Sequence, residues 1–140
     1  MRAIALDVGE RRIGVASGDT ESRVAVPVGA IDRERTVDVY QRIADLAAER
    51  DATCIVVGLP LSMTGRRGPQ AEATLAFVDE LKQRIGLAIE LMDERLSSVE
   101  AERRIRESSP RGRGRAVRPE KGAIDAGAAV LVLQSWLDRR

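Results

Sequence analysis

Histidine does not occur in this 140-residue chain, and its absence removes whole classes of chemistry. Without imidazole there is no Ser-His-Asp triad, no Cys-His pair and no His-ligated zinc. Any metal must be held by oxygen, which favours magnesium, manganese or calcium. Acid–base work then falls to carboxylates, Lys82, Lys121, Tyr40 or metal-bound water. Cysteine occurs once, at Cys54, so no internal disulfide can form, as suits a reducing cytoplasm. Cys54 opens the apolar run Cys54-Ile55-Val56-Val57 and reads as a small buried hydrophobe. Aromatics are confined to Tyr40, Phe77 and Trp136, too few for recognition of single strands by base stacking. No apolar run reaches membrane-spanning length and no signal peptide is evident, so the expectation is a cytoplasmic protein without a membrane partner.

What is present is carboxylate in unusual places. Asp7 interrupts Ala3-Ile4-Ala5-Leu6-Asp7-Val8, Asp93 and Glu94 end Leu87-Ala88-Ile89-Glu90-Leu91-Met92, and Asp125 stands at the head of Ala126-Gly127-Ala128-Ala129-Val130-Leu131. A lone buried carboxylate is costly unless it is paired, hydrogen-bonded or metal-bound. Three that converge would suit a hard divalent cation. Each also has a simpler reading. Asp7 could cap a hairpin turn, Glu94 could pair with Arg95 or Arg12, and Asp125 could be an acid favoured by the helix dipole. The net charge of +1 conceals an asymmetry. Residues 103–118 hold seven arginines and one acid, a local charge of +6 that leaves −5 for the remainder. Such a segment suits phosphate contact, with an arginine-biased solvated loop as the alternative.

The length suits one domain spanning residues 1–140. The pattern predicts strands at Ile4 to Val8 and Ile13 to Ser17, joined by the turn Gly9-Glu10-Arg11-Arg12. A third strand is expected from Val24 to Ile31, with Pro27 marking an edge or a bulge. Helical spacing covers 36–50, and Cys54 to Leu59 has the continuous apolar character of a strand covered on both faces. A loop from Pro60 to Gly68 precedes a helix begun by Pro69, with Ala71, Leu75, Val78, Leu81 and Ile85 on one face. Leu87 to Met92 reads as another buried strand. Ser97 or Ser98 can cap a helix to about residue 107, and a final buried helix is expected from Ala123 to Leu137. The architecture is therefore α/β, a mixed sheet flanked by helices.

Several motifs resemble one family. Asp7-Val8-Gly9 is followed by Arg12-Ile13-Gly14-Val15-Ala16, Val56-Val57-Gly58-Leu59-Pro60-Leu61 and Asp93-Glu94-Arg95-Leu96-Ser97. Asp125, with Ala128-Ala129 and Leu133-Gln134, completes the set. In this order they resemble the YqgF/RuvX family across residues 4 to about 137. The resemblance implies an RNase H-like, RuvC-type fold with a mixed five-stranded sheet. It also implies a cytoplasmic nuclease acting in 5′-end maturation of pre-16S rRNA, a hydrolase of phosphodiester bonds in ribosome biogenesis. In such a fold Asp7 would bridge two Mg2+ or Mn2+ ions about 3.5–4 Å apart, with Glu94 and Asp125 completing the site and Asp93 in reserve for Glu94. Nucleic-acid contacts would come from Arg66, Arg67, Arg111, Arg113, Arg115, Arg118 and Lys121. The sequence departs from the family pattern in two places. Leu61-Ser62-Met63-Thr64-Gly65 stands where Leu-Asn-Met-Asp-Gly is usual, and Ala123 where a lysine is common.

The partner implied is structured RNA, within a ribosomal particle or free. Resolution of branched DNA is an alternative, as is a non-catalytic RNA-binding assembly factor. A monomer and a homodimer both remain open. A phosphotransferase of the actin type also begins with Asp-x-Gly on its first strand, but it needs two copies of the fold.

Overall fold

A computed structural model describes residues 1–96 and 121–140, without the side chains of Leu96 and residues 121–125. Its strands are β1 (Arg2–Val8), β2 (Arg12–Asp19), β3 (Ala25–Asp32), β4 (Cys54–Leu59) and β5 (Ala88–Asp93). Three α-helices are described: α1 (Val39–Glu49), α2 (Pro69–Arg84) and α3 (Lys121–Asp138). A 3-10 turn, Glu94–Leu96, follows β5. The sheet order is β3-β2-β1-β4-β5. β2 runs antiparallel to β1 and β3, whereas β1, β4 and β5 run parallel. This is the mixed five-stranded sheet expected from the sequence.

Strand alternation sorts the apolar residues into two cores. Ile4, Leu6, Val8, Ile13, Val15, Ile55 and Val57 pack with Ile43 and Leu46 of α1 and Phe77, Val78 and Leu81 of α2. Ala3, Ala5, Ala16, Cys54 and Val56 face Ala129, Val132, Leu133, Trp136 and Leu137 of α3. The alanines and small residues on this second face let α3 lie close to the sheet. Burying a leucine such as Leu133 contributes about 1.5–3 kcal/mol.

Local chemistry accounts for the boundaries. Asp38 caps α1 by accepting from the Gln41 N–H, so the helix is shorter than the expected 36–50. Pro69 starts α2 as expected. Its buried face also includes Thr74 and Phe77, while Leu75 is only half-buried, a correction to the expected stripe. Thr74 is accommodated because its hydroxyl donates to the Gln70 carbonyl. Pro27 lies on an edge strand and beside a bulge, since Val15 pairs with Gly29 and Ala16 with Pro27, leaving Val28 as the extra residue. The expected burial of Leu87 to Met92 is corrected: β5 is an edge strand, Met92 is its buried residue and Leu91 is 43% exposed. α3 begins two residues before Ala123. The helix expected after Ser97 lies outside the described residues, as does the arginine segment 103–118. Among the described residues, no helix is long and apolar enough to cross a membrane.

Candidate active site

Asp7 is the penultimate residue of β1, two residues beyond Ala5, and so shares the α3 side of the sheet with Ala3 and Ala5. On β2 its direct partner is Gly14. On β4 the pairing Leu6 with Val57 puts Asp7 level with Gly58 at the next step. Asp7 thus stands between two glycines on its own face, at the end of the central strand. It is half-buried.

Glu94 reaches the same face from β5. Met92 packs in the α3 core and Glu90 accepts from the Trp136 indole N–H at 3.2 Å, so both lie on the α3 side. Glu94 continues that alternation at the first residue of the 3-10 turn. A Cβ placed on Gly58 would lie 2.9 Å from Glu94 Oε1, 3.3 Å from Glu94 Cγ and 3.0 Å from Val132 Cγ2. The Glu94 side chain therefore lies over Gly58, in space that a side chain there would fill, beside α3. In the sequence Gly58 stands within a motif but was given no role of its own. Its signal was a glycine inside a run of β-branched residues, which marks a close approach.

Asp93 is placed differently. Alternation sets it on the opposite parity from Met92, and its carboxylate is engaged by Arg95. The contacts are Nη2 to Oδ2 at 2.7 Å, Nε to both oxygens at 3.1 Å, and the Arg95 backbone N–H to Oδ1 at 2.9 Å. The Arg95 hydrogen bonds hold the Asp93 carboxyl below its ordinary pKa against the opposing effect of burial. Of the two adjacent acids, Glu94 is thus the one that lies at Gly58 and beside α3.

Asp125 is the fifth residue of α3, one turn before Ala129 and two before Val132, both buried against the sheet. Its side chain, like that of Lys121 at the head of the helix, lies outside the described residues. Arg111, Arg113, Arg115 and Arg118 lie outside them entirely. Arg66 and Arg67 are exposed on the loop after β4, where Ser62 closes a turn by accepting from the Gly65 N–H through its carbonyl and from the Arg66 N–H through Oγ. Cys54 is buried as expected, and its thiol is pushed up to about 11 by burial and by the neighbouring Glu90 carboxylate. Trp136, 5% exposed, belongs to the core.

The family model for RuvX, described as Holliday junction resolvase, matches residues 1–139. The chain belongs to the RuvX family. It is accordingly a member of a nuclease family, whose enzymes hydrolyse phosphodiester bonds. A relative in Anaeromyxobacter sp. (strain K) is 42% identical over 140 residues, covering 100% of this chain and 98% of that protein. One in Chloroflexus aurantiacus is 43% identical over 139 residues, covering 98% and 86%. Both carry the name "Putative pre-16S rRNA nuclease". In structure, this RuvX protein is similar to Thermus thermophilus RuvC solved with a Holliday junction substrate. The TM-score is 0.59 at 16% identity, over 100% of this chain and 96% of that one. At that identity the likeness establishes the fold, which is RNase H-like and RuvC-type.

Proposed function

We propose that this RuvX protein is a metal-dependent endonuclease acting in the cytoplasm on the 5′ end of pre-16S rRNA, with Asp7, Glu94 and Asp125 as its catalytic carboxylates. The observation that carries the reading is the placement of Glu94 over Gly58, level with Asp7 on the neighbouring central strand and on the face where α3 packs. The names of its relatives supply the RNA substrate.

The donors fit a hard cation. Asp7, Glu94 and Asp125 offer only oxygen, and neither strand neighbour level with Asp7, Gly14 or Gly58, carries a side chain. Among the described residues no three ligating side chains form a metal cluster; the third carboxylate, Asp125, has its side chain outside them. Mg2+ or Mn2+, as a pair held by these three residues, would activate water for attack and neutralise charge on the leaving oxygen. Asp7 is carried by the central strand, which pairs with β2 on one side and β4 on the other. Glu94 enters from the end of β5. Lys121, Arg66, Arg67 and the arginines 111, 113, 115 and 118 would hold the phosphate backbone of structured RNA, and shape rather than base stacking would select it.

A second reading, cleavage of branched DNA, is favoured by the description of the family model. It would require two coordinated cuts and hence a homodimer, whereas the RNA reading is satisfied by a monomer. One experiment separates these readings. Wild type and Asp7→Asn are incubated in manganese with a 5′-extended 16S rRNA precursor fragment and with a four-way DNA junction. RNA cleavage by wild type, lost in Asp7→Asn, is the expected result. Junction cutting without RNA cleavage transfers the assignment to DNA. RNA binding without any cleavage would leave the protein a non-catalytic assembly factor and refute the nuclease site.

A further inference from the structure

Asp93 and Arg95 flank Glu94, and their mutual grip has a geometry that bears on the site. The Asp93 carboxylate receives three hydrogen bonds from the Arg95 guanidinium and one from the Arg95 backbone N–H, so residues before and after Glu94 are fastened to each other across it. The backbone bond is local, two residues apart, and helps to set the 3-10 turn that Glu94 opens. The pair is half-shielded, with the Asp93 side chain 19% and that of Arg95 37% exposed.

The guanidinium does more than balance a charge. Its Nη1 approaches the Met63 carbonyl at 3.5 Å, the outer limit of a hydrogen bond. The same nitrogen lies 3.2 Å from where a Cβ on Gly65 would be, and Gly65 holds φ +84 in the left-handed region. Arg95 therefore sits on the turn of Ser62 to Gly65. That turn is internally braced by Ser62, whose N–H donates to the Arg66 carbonyl. Through one side chain, the end of β5 is coupled to the loop leaving β4. Gly58, over which Glu94 lies, is on that same strand, one residue before Leu59 ends it.

We propose that Asp93 and Arg95 form a clamp that positions Glu94 over Gly58, with Arg95 acting as a strut to the loop at residues 62–65 and Asp93 as its counterion. This inference rests on the assignment of Glu94 to the active site. It takes Asp93 out of the ligand set and makes it a positioning residue. It also separates Arg95, whose guanidinium is bonded to Asp93, from Arg66 and Arg67, the phosphate contacts expected on that loop. A planar guanidinium is needed because two of its nitrogens meet Asp93 while a third faces Met63; an ammonium offers one point of contact.

The test measures kcat, KM and Mn2+ affinity for Arg95→Ala, Asp93→Ala, the double variant and Arg95→Lys. Turnover uses the 5′-extended 16S rRNA precursor fragment; Mn2+ affinity is read by calorimetry on the protein without RNA. Thermal melting accompanies each variant, and Asp7→Asn is the reference for a disabled site. Each single alanine variant is expected to lose about 10- to 100-fold in kcat or in Mn2+ affinity, the range found when a group orienting a metal ligand is removed. KM should remain near wild type, and the double variant should be no worse than the poorer single one, because either loss opens the clamp. Arg95→Lys should recover only part of the loss. A raised KM at unchanged kcat and Mn2+ affinity for Arg95→Ala, with Asp93→Ala like wild type, would make Arg95 a substrate contact and overturn the clamp. Additive losses in the double variant would overturn it as well. Failure of the underlying site reading looks different: Asp7→Asn would then cleave the RNA and bind Mn2+ as well as wild type.

Discussion

A single methyl group at Gly58 should separate stability from catalysis. In Gly58→Ala the new Cβ would lie 2.9 Å from Glu94 Oε1 and 3.0 Å from Val132 Cγ2, both too close. The first contact is with the far end of a flexible side chain, which can swing aside at little cost. The second requires Val132 to yield by a few tenths of an ångström, a mild form of overpacking that costs about 1–2 kcal/mol. Replacing glycine by alanine returns about 0.4–1 kcal/mol by restricting the unfolded chain. The net cost is about 0–1.6 kcal/mol, a fall in Tm of roughly 6 °C at most for a chain of this size. Catalysis has no such compensation, because the carboxylate that moves is the proposed ligand. A displacement of about 1 Å costs on the order of a hundredfold in rate. Thermal melting and steady-state cleavage of the precursor rRNA fragment, measured on the same preparation, read both quantities. Adding Val132→Ala to Gly58→Ala should relieve the contact with α3 without restoring turnover. A Gly58→Ala variant with wild-type kcat would refute the argument that Glu94 works from the space above this glycine.

Three other outcomes can be measured independently. The native thiol of Cys54, buried and with a pKa of about 11, should react with a disulfide reagent at pH 8 at least about 100-fold more slowly than in the unfolded chain; equal rates would mean that α3 does not cover it. Asp93 has its pKa lowered in the folded state by Arg95, so its contribution is present above the unfolded value near 3.8 and is lost as pH falls through the lower folded value. Asp93→Asn should therefore flatten the acid limb of the stability profile below about pH 4, and an unaltered limb would show that the pair contributes nothing there. Neutralising Arg111, Arg113 and Arg115 together should weaken RNA binding and reduce the slope of log affinity against log salt by about 2–3; an unchanged slope would make that segment a connector only.

Much of the scaffold was legible because period and punctuation coincide. Cys54–Leu59 is apolar on both faces and lies inside the sheet, and Pro69 begins its helix. Pro27 signalled an edge or a bulge and marks both, because a residue without an N–H fits the outer strand and the bulge lies beside it. Asp7 could be placed on the α3 face by counting two residues from Ala5. Burial of β5 could not be read, since Leu87 to Met92 carries the composition of a covered strand while its neighbours in space decide the covering. Thr74 and Phe77 escaped because a hydroxyl bonded to its own helix passes for a polar surface position, and an aromatic ring can reach beyond its stripe to stack on Tyr40 at 5.0 Å. The preference for Glu94 over Asp93 was readable from strand alternation, whereas the pairing of Asp93 with Arg95 needed the direction of the Arg95 side chain, which spacing does not encode. The site residues Asp125 and Lys121, and the arginines 111, 113, 115 and 118, rest on the sequence alone.

The far end of α3 is moored to the sheet with unusual thoroughness. Gln134 accepts from the Ala25 N–H and donates to the Arg23 carbonyl, Trp136 donates to Glu90, and Arg23 donates to the Arg140 carbonyl. From Gln134 back to Asp125 is nine residues of helix, about 14 Å along the axis. The helix is thus pinned at the outer strands and packed along the sheet through Ala129 and Val132, with a proposed catalytic carboxylate one turn beyond that packing. A tilt of only about 5° at the mooring carries the backbone of Asp125 by about 1 Å, the distance over which catalytic alignment is lost. The β2–β3 turn therefore shares with the buried face of the helix the task of aiming it, and substitutions at Arg23 or Gln134 are expected to be felt at Asp125 as well as locally.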